Sequence, residues 1–472
     1  MSLKTFRAVV VALTLASPAL AQAPLTPHQR LAREVYAELV SINSADSVGS
    51  VTKAAEAMAK RFRDAGFPAG DVQVLIPPGK PTKGNLVVRY RGRGGANAAK
   101  PILLLAHIDV VAARREEWPR DPFTMVEENG YFLGRGTADD KAMAAIFVAN
   151  VLRYKQQNWR PDRDLILALT ADEEGGDANG VEYLLKDHRS LIDAVYAINE
   201  GGGGTLNGMG PDARPFFHSI QAAEKVYTDF TLTANNPGGH SSVPRPDNAI
   251  YELADALGRL EKYDFPVQLN ETTRGFFEKM AAVEHGQLAQ DMKSLTSAKP
   301  DPAAIARLAA QPPYNAQMRT TCVATRLEGG HAENALPQLA RATVNCRILP
   351  GQPVEDIQKQ LEKVFADPKL TITAVMHSVG SEPSALNKEL VSAIEKLTEK
   401  FWPGIPTVPT MVAGATDGRF LRNAGIPTYG HSGLASDIFD VRAHGKDERV
   451  EIKVMFEGEQ YLFELVKLLS GG

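Results

Sequence analysis

Residues 101–111 read PILLLAHIDVV, a proline and an unbroken apolar run that ends in two polar side chains, His107 and Asp109. A short apolar run without polar alternation suits a strand buried on both faces. Side chains two apart on a strand share a side, so the imidazole and the carboxylate project together from its end. The same design recurs downstream, as LILALTADEE over 165–174 and VYAINE over 195–200. Periodic apolar positions predict helices over 31–42, 51–65, 141–154 and 181–186, with further strands over 72–76 and 85–90. This alternation predicts an α/β catalytic domain with helices on both faces of a central sheet. Such sheets bind ligands where their strands end, and here those ends are rich in glycine and charge.

The pattern changes after Glu224. A long alternating strand, 226–234, leads into the loop NNPGGHSSVPRPDNA and a helix over 250–260. Strands around Cys322 and Cys346, a helix over 354–365 and a strand over 370–376 complete a four-stranded antiparallel sheet with two helices. This is a smaller α+β domain inserted into the first, which the family resemblance given below implies to be of lid/dimerisation type. Between its elements, 261–317 is punctuated by proline and helix-prone, and it reads as an elaboration of the insert over a cleft. The catalytic sheet resumes near Ser381, with a helix over 386–400, the loop AGATDGRF, the strand IPTYG and a terminal helix over 451–469. The expected division is therefore 1–21 leader, 22–223 and 379–472 catalytic domain, and 224–378 insert.

With 472 residues, 44% hydrophobic and 23% charged, the chain is no disordered polymer and exceeds one ordinary domain. Fifty-two basic against 56 acidic residues leave a formal charge of -4, so no basic excess recruits nucleic acid or an anionic membrane. At the N-terminus, Lys4 and Arg7 precede AVVVALTLA, and Ala19-Leu20-Ala21 has the small-x-small form of a signal peptidase site. Cleavage after Ala21 and a secreted or periplasmic protein are expected. The run is too short for a permanent membrane anchor, although an uncleaved tether is the alternative reading. The two cysteines lie in strand-like runs. If Leu327 faces Arg341 in an antiparallel pair, Cys322 faces Cys346, which permits a cross-strand disulfide. Two free buried thiols are the other reading.

Each polar motif has a plain explanation and a chemical one. His107 and Asp109 alone suit an ordinary strand end, or a metal-binding imidazole whose tautomer a carboxylate fixes. In GRGTADDKA, Asp139 and Asp140 either cap the following helix or offer one carboxylate that bridges two cations. In DEEGG, Asp172, Glu173 and Glu174 are either a solvated loop or a metal ligand beside a base that takes a proton from water. Glu200 precedes four glycines, and His444, in RAHGKDERV, stands ahead of the last helix.

Taken in order, HxD after an apolar strand, GRGTADDK, DEEGG, NEGG and AHGKDERV resemble the co-catalytic zinc metallopeptidase family 20, which includes aminoacylase, acetylornithine deacetylase and carboxypeptidase G. NEGG, the TTC segment and the long insert look most like its carboxypeptidase S branch, which also contains secreted N-acyl-amino-acid hydrolases. The resemblance runs from about Leu31 to the last helix. It implies two Zn2+ ions bridged by Asp139, with His107 and Glu200 completing one site and Glu174 and His444 the other. It further implies that Asp109 orients His107, that Glu173 is the general base, and that the peptide bond after Asp139 is cis. Two zinc ions bring about four positive charges against three carboxylates, and a bridging hydroxide neutralises the remainder. Nitrogen and oxygen ligands without thiolate also permit Co2+ or Mn2+.

In the insert, His240 matches the family's lid histidine, which reaches the active site of a second subunit and stabilises the oxyanion. A homodimer is implied with it. By itself His240 reads as a polar turn residue. Asn334 and Arg347 match positions that bind a substrate carboxylate, which the planar guanidinium fork suits; Arg347 alone reads as a strand-edge charge. Gly414 and Thr416 match a loop that contacts substrate backbone, and Asp417 reads equally as a helix cap. The expected activity is cleavage of the amide bond of a small peptide or N-acyl amino acid with a free carboxylate. An aminopeptidase or dipeptidase with the same metals is the alternative, and a non-catalytic solute-binding protein of the same fold is a remote one.

Overall fold

In the computed structural model, which describes residues 24–95, 99–207, 214–375, 379–437, 440 and 442–471, the strand Ile102–His107 is fully buried at the centre of a mixed sheet. The expected leader and its cleavage point after Ala21 lie outside the described residues. Parallel neighbours, Leu165–Thr170 and Tyr196–Asn199, flank the central strand. Its alternate side chains enter two different cores. Ile102, Leu104 and Ala106 pack with Pro27–Ser41, Val51–Asp64, Lys141–Gln156, Lys388–Phe401 and Ile452–Ser470. Leu103 and Leu105 pack with Gly180–Asp187, Arg189–Ile192 and Gly418–Asn423 on the other face. Both faces are thus covered by helices, as the unbroken apolar run requires.

Among the described residues the sheet has ten strands, in the order Val72–Leu75, Asn85–Tyr90, Leu165–Thr170, Ile102–His107, Tyr196–Asn199, Thr428–Gly430, Arg214–Glu224, Gly203–Asn207 and Ala435–Asp437, with Thr407–Val412 also paired to Arg214–Glu224. From Arg214–Glu224 the chain passes through the buried Lys225 into Val226–Asn235 of a second, four-stranded antiparallel sheet. That sheet runs Thr321–Gly329, Leu339–Ile348, Val226–Asn235, Thr371–Ala374, and the helices Ala249–Glu261 and Val354–Phe365 cover one of its faces.

The helices Glu271–Val283, Gly286–Leu295, Pro302–Ala309 and Pro312–Met318 share their apolar core with Val408, Phe216 and Phe217 of the large sheet. Phe277, Met280, Met292 and Leu308 supply the buried face. The cysteines do form a disulfide, Cys322–Cys346, and face each other across the ladder. Leu327, however, faces Ala342 rather than Arg341, because a bulge between Ala324 and Arg326 shifts the register by one beyond the cysteines. Among the described residues no helix is long and apolar enough to cross a membrane.

Candidate metal centre

Three parallel strand ends and two loops converge at one end of the large sheet. His107 closes Ile102–His107, Glu173 and Glu174 follow Leu165–Thr170, and Glu200 follows Tyr196–Asn199. Asp139 and Asp140 arrive on a turn that starts at Gly136, whose φ of +82° and whose missing Cβ, which would lie 2.7 Å from Val110 Cγ1, both demand glycine. The Asp139–Asp140 peptide is cis. Asp140 precedes the helix Lys141–Gln156 but makes no side-chain cap bond, so capping does not account for the acidic pair.

Asp139 lies between two imidazoles. Its Oδ1 is 3.0 Å from His107 Nε2 and its Oδ2 is 3.3 Å from His444 Nε2. His107 Nε2 is also 3.5 Å from Glu200 Oε2, and His444 Nε2 is 2.9 Å from Glu174 Oε1. The five expected metal positions therefore meet here, and Glu173 precedes Glu174 in the same loop. His107 is buried, whereas the His444 side chain is 53% exposed, so one side of the cluster faces the interior and the other faces solvent. Asp109 lies beside both His107 and the loop of Glu173 and Glu174, and its backbone carbonyl is 3.2 Å from His107 Nδ1. Its Oδ1 lies 3.5 Å from His107 Nδ1, and its two oxygens accept the backbone N–H groups of Glu173 at 3.2 Å and Glu174 at 3.0 Å. Beneath that loop Asp172, at φ +58°, accepts from Lys83 Nζ at 2.5 Å and from Ala178 N at 3.1 Å.

The electrostatics are those of carboxylates crowded out of water. Burial first, and the Glu200 charge second, push the Glu173 carboxyl well above its ordinary range, the direction a general base near neutral pH requires. Asp140 is raised for the same two reasons. Burial alone would lower His107, but the Glu200 charge and hydrogen bonds to Asp109 and Asp139 hold it well above its usual value. Hydrogen bonds to Asp139 and Glu174 lift His444 to about 10. Among the described residues, buried Asp140 Oδ2 and Glu200 Oε1 have no hydrogen-bond partner. Unpaired buried oxygens and surplus negative charge are what a cation would satisfy. Ligand atoms of His107, Asp139 and Glu174 lie within 4.8 Å of one another, as do those of His107, Asp140 and Glu200. The nitrogen and oxygen donors fit zinc and its first-row neighbours. Asp140, which the sequence reading set at the helix terminus beside a bridging Asp139, thereby joins the possible donors.

The expected substrate residues form two groups. Gly239–His240 pairs with Ala335–Leu336, and Asn334 O accepts from Ser241 N at 3.0 Å, so His240 and Asn334 share one exposed ribbon of the insert. His240 Nδ1 is engaged by Ser242. Arg347 stacks 4.5 Å from the Tyr227 ring centroid and donates to Ala413 O at 3.3 Å, which brings it beside Gly414. No hydrogen bond or ion pair among the described residues joins either group to the His107–Glu200 cluster. The Thr416 N–H and hydroxyl donate to Glu224 Oε2 at 2.7 and 2.8 Å. Asp417 is no cap: it is buried, accepts from Asn179 Nδ2 at 2.6 Å, and burial raises it to about 7.

The model of Peptidase family M20/M25/M40 matches residues 103–468. The chain belongs to this family. As a member of Peptidase family M20/M25/M40 it is a hydrolase of the metallopeptidase type, and it carries a cluster of histidine and acidic side chains that could hold a metal ion. Probable carboxypeptidase S-like 2 of Dictyostelium discoideum is 28% identical over 390 residues, covering 81% of this chain and 74% of that protein. Human N-fatty-acyl-amino acid synthase/hydrolase PM20D1 is 28% identical over 393 residues, covering 79% and 75%. An M20 family metallo-carboxypeptidase from Sulfolobus solfataricus has the same fold, with a TM-score of 0.67 at 20% identity over 93% of this chain and 99% of that one.

Proposed function

We propose that the protein is an exported di-zinc hydrolase that cleaves the amide bond of a peptide or N-acyl amino acid beside a free carboxylate. Asp139 is read as the residue shared by two metal ions, with His107 and Glu200 on one and Glu174 and His444 on the other. The observation that carries the reading is the division of the Asp139 oxygens, 3.0 Å from His107 and 3.3 Å from His444. When bound, the metal pair supplies Lewis-acid polarisation of the scissile carbonyl and a lowered pKa for water.

The chain's own groups do the rest. Glu173, raised by burial, takes the proton of the attacking water and returns it to the departing amine. Asp109 holds Glu173 and Glu174 by their N–H groups while it steadies His107. Arg347, with its guanidinium over the Tyr227 ring, and Asn334 anchor the substrate carboxylate. His240, exposed on its ribbon, donates to the developing oxyanion from a second subunit. The edge strand Thr321–Gly329, with Val323 and Leu327 exposed, suits the homodimer that this last role requires. A hydrolysis panel on metal-loaded protein tests the proposal. N-acyl amino acids and free dipeptides should be cleaved and carboxyl-amidated analogues spared, with Arg347→Ala raising KM far more than it lowers kcat. Cleavage of amidated substrates at equal rates would instead favour an aminopeptidase.

A further inference from the structure

Asp139 and His444 come from loops far apart in the chain, and one buried ion pair touches both. Glu448 Oε1 accepts the N–H groups of Ala138 at 2.8 Å and Asp139 at 3.1 Å. Its other oxygen pairs with Arg135 Nη1, and Arg135 Nη2 donates to the carbonyl of His444 at 3.1 Å, across 309 residues of sequence. The two side chains are only 4% and 1% exposed. Three further contacts fix the frame. Gly134 N donates to Glu448 O at 3.2 Å, Arg449–Glu451 pairs antiparallel with Tyr131–Leu133, and the Arg135 guanidinium lies 5.0 Å from the centre of the Trp118 ring.

A buried ion pair is weak evidence for stability, because an apolar pair of similar volume often serves as well. An apolar side chain cannot, however, accept two adjacent N–H groups while its partner holds the carbonyl of the opposing loop. Charge-assisted hydrogen bonds of this kind are short and directional, and metal donors tolerate only a narrow range of distances. We infer that Glu448, held by Arg135, is the positioning residue that sets Asp139 against His444 and so tunes the metal subsite those two residues share. This rests on the reading that Asp139 and His444 hold metal.

The test is a titration of the chelator-stripped full chain with Co2+, followed by visible absorption, with elemental analysis after Zn2+ loading. Wild type should take two equivalents. Glu448→Ala should keep the first at near wild-type affinity and bind the second roughly 10- to 100-fold more weakly. Glu448→Gln, which retains one carbonyl acceptor, and Arg135→Lys should fall between, and they carry the test if the alanine variant fails to fold. Glu459→Gln is the control: it breaks another buried pair, with Arg153 at 3.0 Å, about 18 Å along the helix Lys141–Gln156 from its start. It should lower Tm and leave both affinities alone. Unchanged binding of the second equivalent by the Glu448 and Arg135 variants, or a parallel loss of both equivalents, overturns the inference. If Asp139→Asn also binds two equivalents normally, the reading of the metal centre itself fails.

Discussion

Asp109 grips the loop that carries Glu174: its Oδ2 accepts the Glu174 N–H at 3.0 Å while Oδ1 takes that of Glu173. Asp109→Ala would leave two partly buried N–H groups without an acceptor, at about 1–3 kcal/mol each, and would remove the carboxylate 3.5 Å from His107 Nδ1 while the backbone carbonyl of residue 109 stays 3.2 Å from that nitrogen. The expected result is a lower Tm, metal affinity weaker by roughly 10- to 100-fold, and a fall in kcat. Asp109→Asn keeps one acceptor oxygen and should be intermediate in all three. Wild-type metal affinity in the alanine variant would show that the loop needs no such anchor.

Glu173 has no hydrogen bond of its own to a cluster histidine, so its removal leaves the donors in place. Glu173→Ala should lower kcat by roughly 10²- to 10⁴-fold, with metal content by elemental analysis close to wild type. Turnover that survives in this variant would remove Glu173 as the base.

The Cys322–Cys346 bridge closes a loop with a sequence separation of 24. Chain entropy puts its contribution at about 3 kcal/mol. Cys322→Ser with Cys346→Ser, or reduction of the wild type, should lower the denaturation midpoint accordingly. Since Arg347 follows Cys346 on the same strand, KM for carboxylate substrates is the kinetic constant to follow.

His431 is buried between the Ser219 carbonyl, 2.9 Å from Nδ1, and the Tyr461 hydroxyl, 2.9 Å from Nε2. This geometry suits a neutral ring that donates through Nδ1 and accepts through Nε2, and burial lowers its pKa to about 4. The unfolded chain takes up the proton first, near pH 6.5. Stability is therefore fully present above about pH 6.5 and lost as the pH falls towards about 4, by roughly 3 kcal/mol for this one group. Denaturant midpoints measured across that window should fall more steeply in wild type than in His431→Gln.

How much of this was legible in the sequence depends on whether the cause was local. The buried strands and their polar ends were, because an apolar run that stops at His107 or Glu200 is a property of neighbouring residues. The strand Thr407–Val412 was not: Pro409 argues against a strand, yet here it sits on one with a single partner, beside an irregular register. Likewise, the helices from Glu271 to Met318 announce their helicity but not the sheet they cover. Glu448 was in view within HGKDERV, and nothing near it in the chain reveals that its acceptors serve Ala138 and Asp139. Asp417 showed a capping residue's position and took a buried partner, Asn179, from another loop.

The donors on both sides of the insert have an implication for biosynthesis. His107, Asp139, Glu174 and Glu200 leave the ribosome long before His444 and Glu448, so a polypeptide cut short ahead of that final loop carries most of the acidic pocket without its last imidazole or its carboxylate brace. On the proposed metal reading, premature termination products are expected to be inert as hydrolases, with hydrolytic potency emerging only when translation of the final segment is complete.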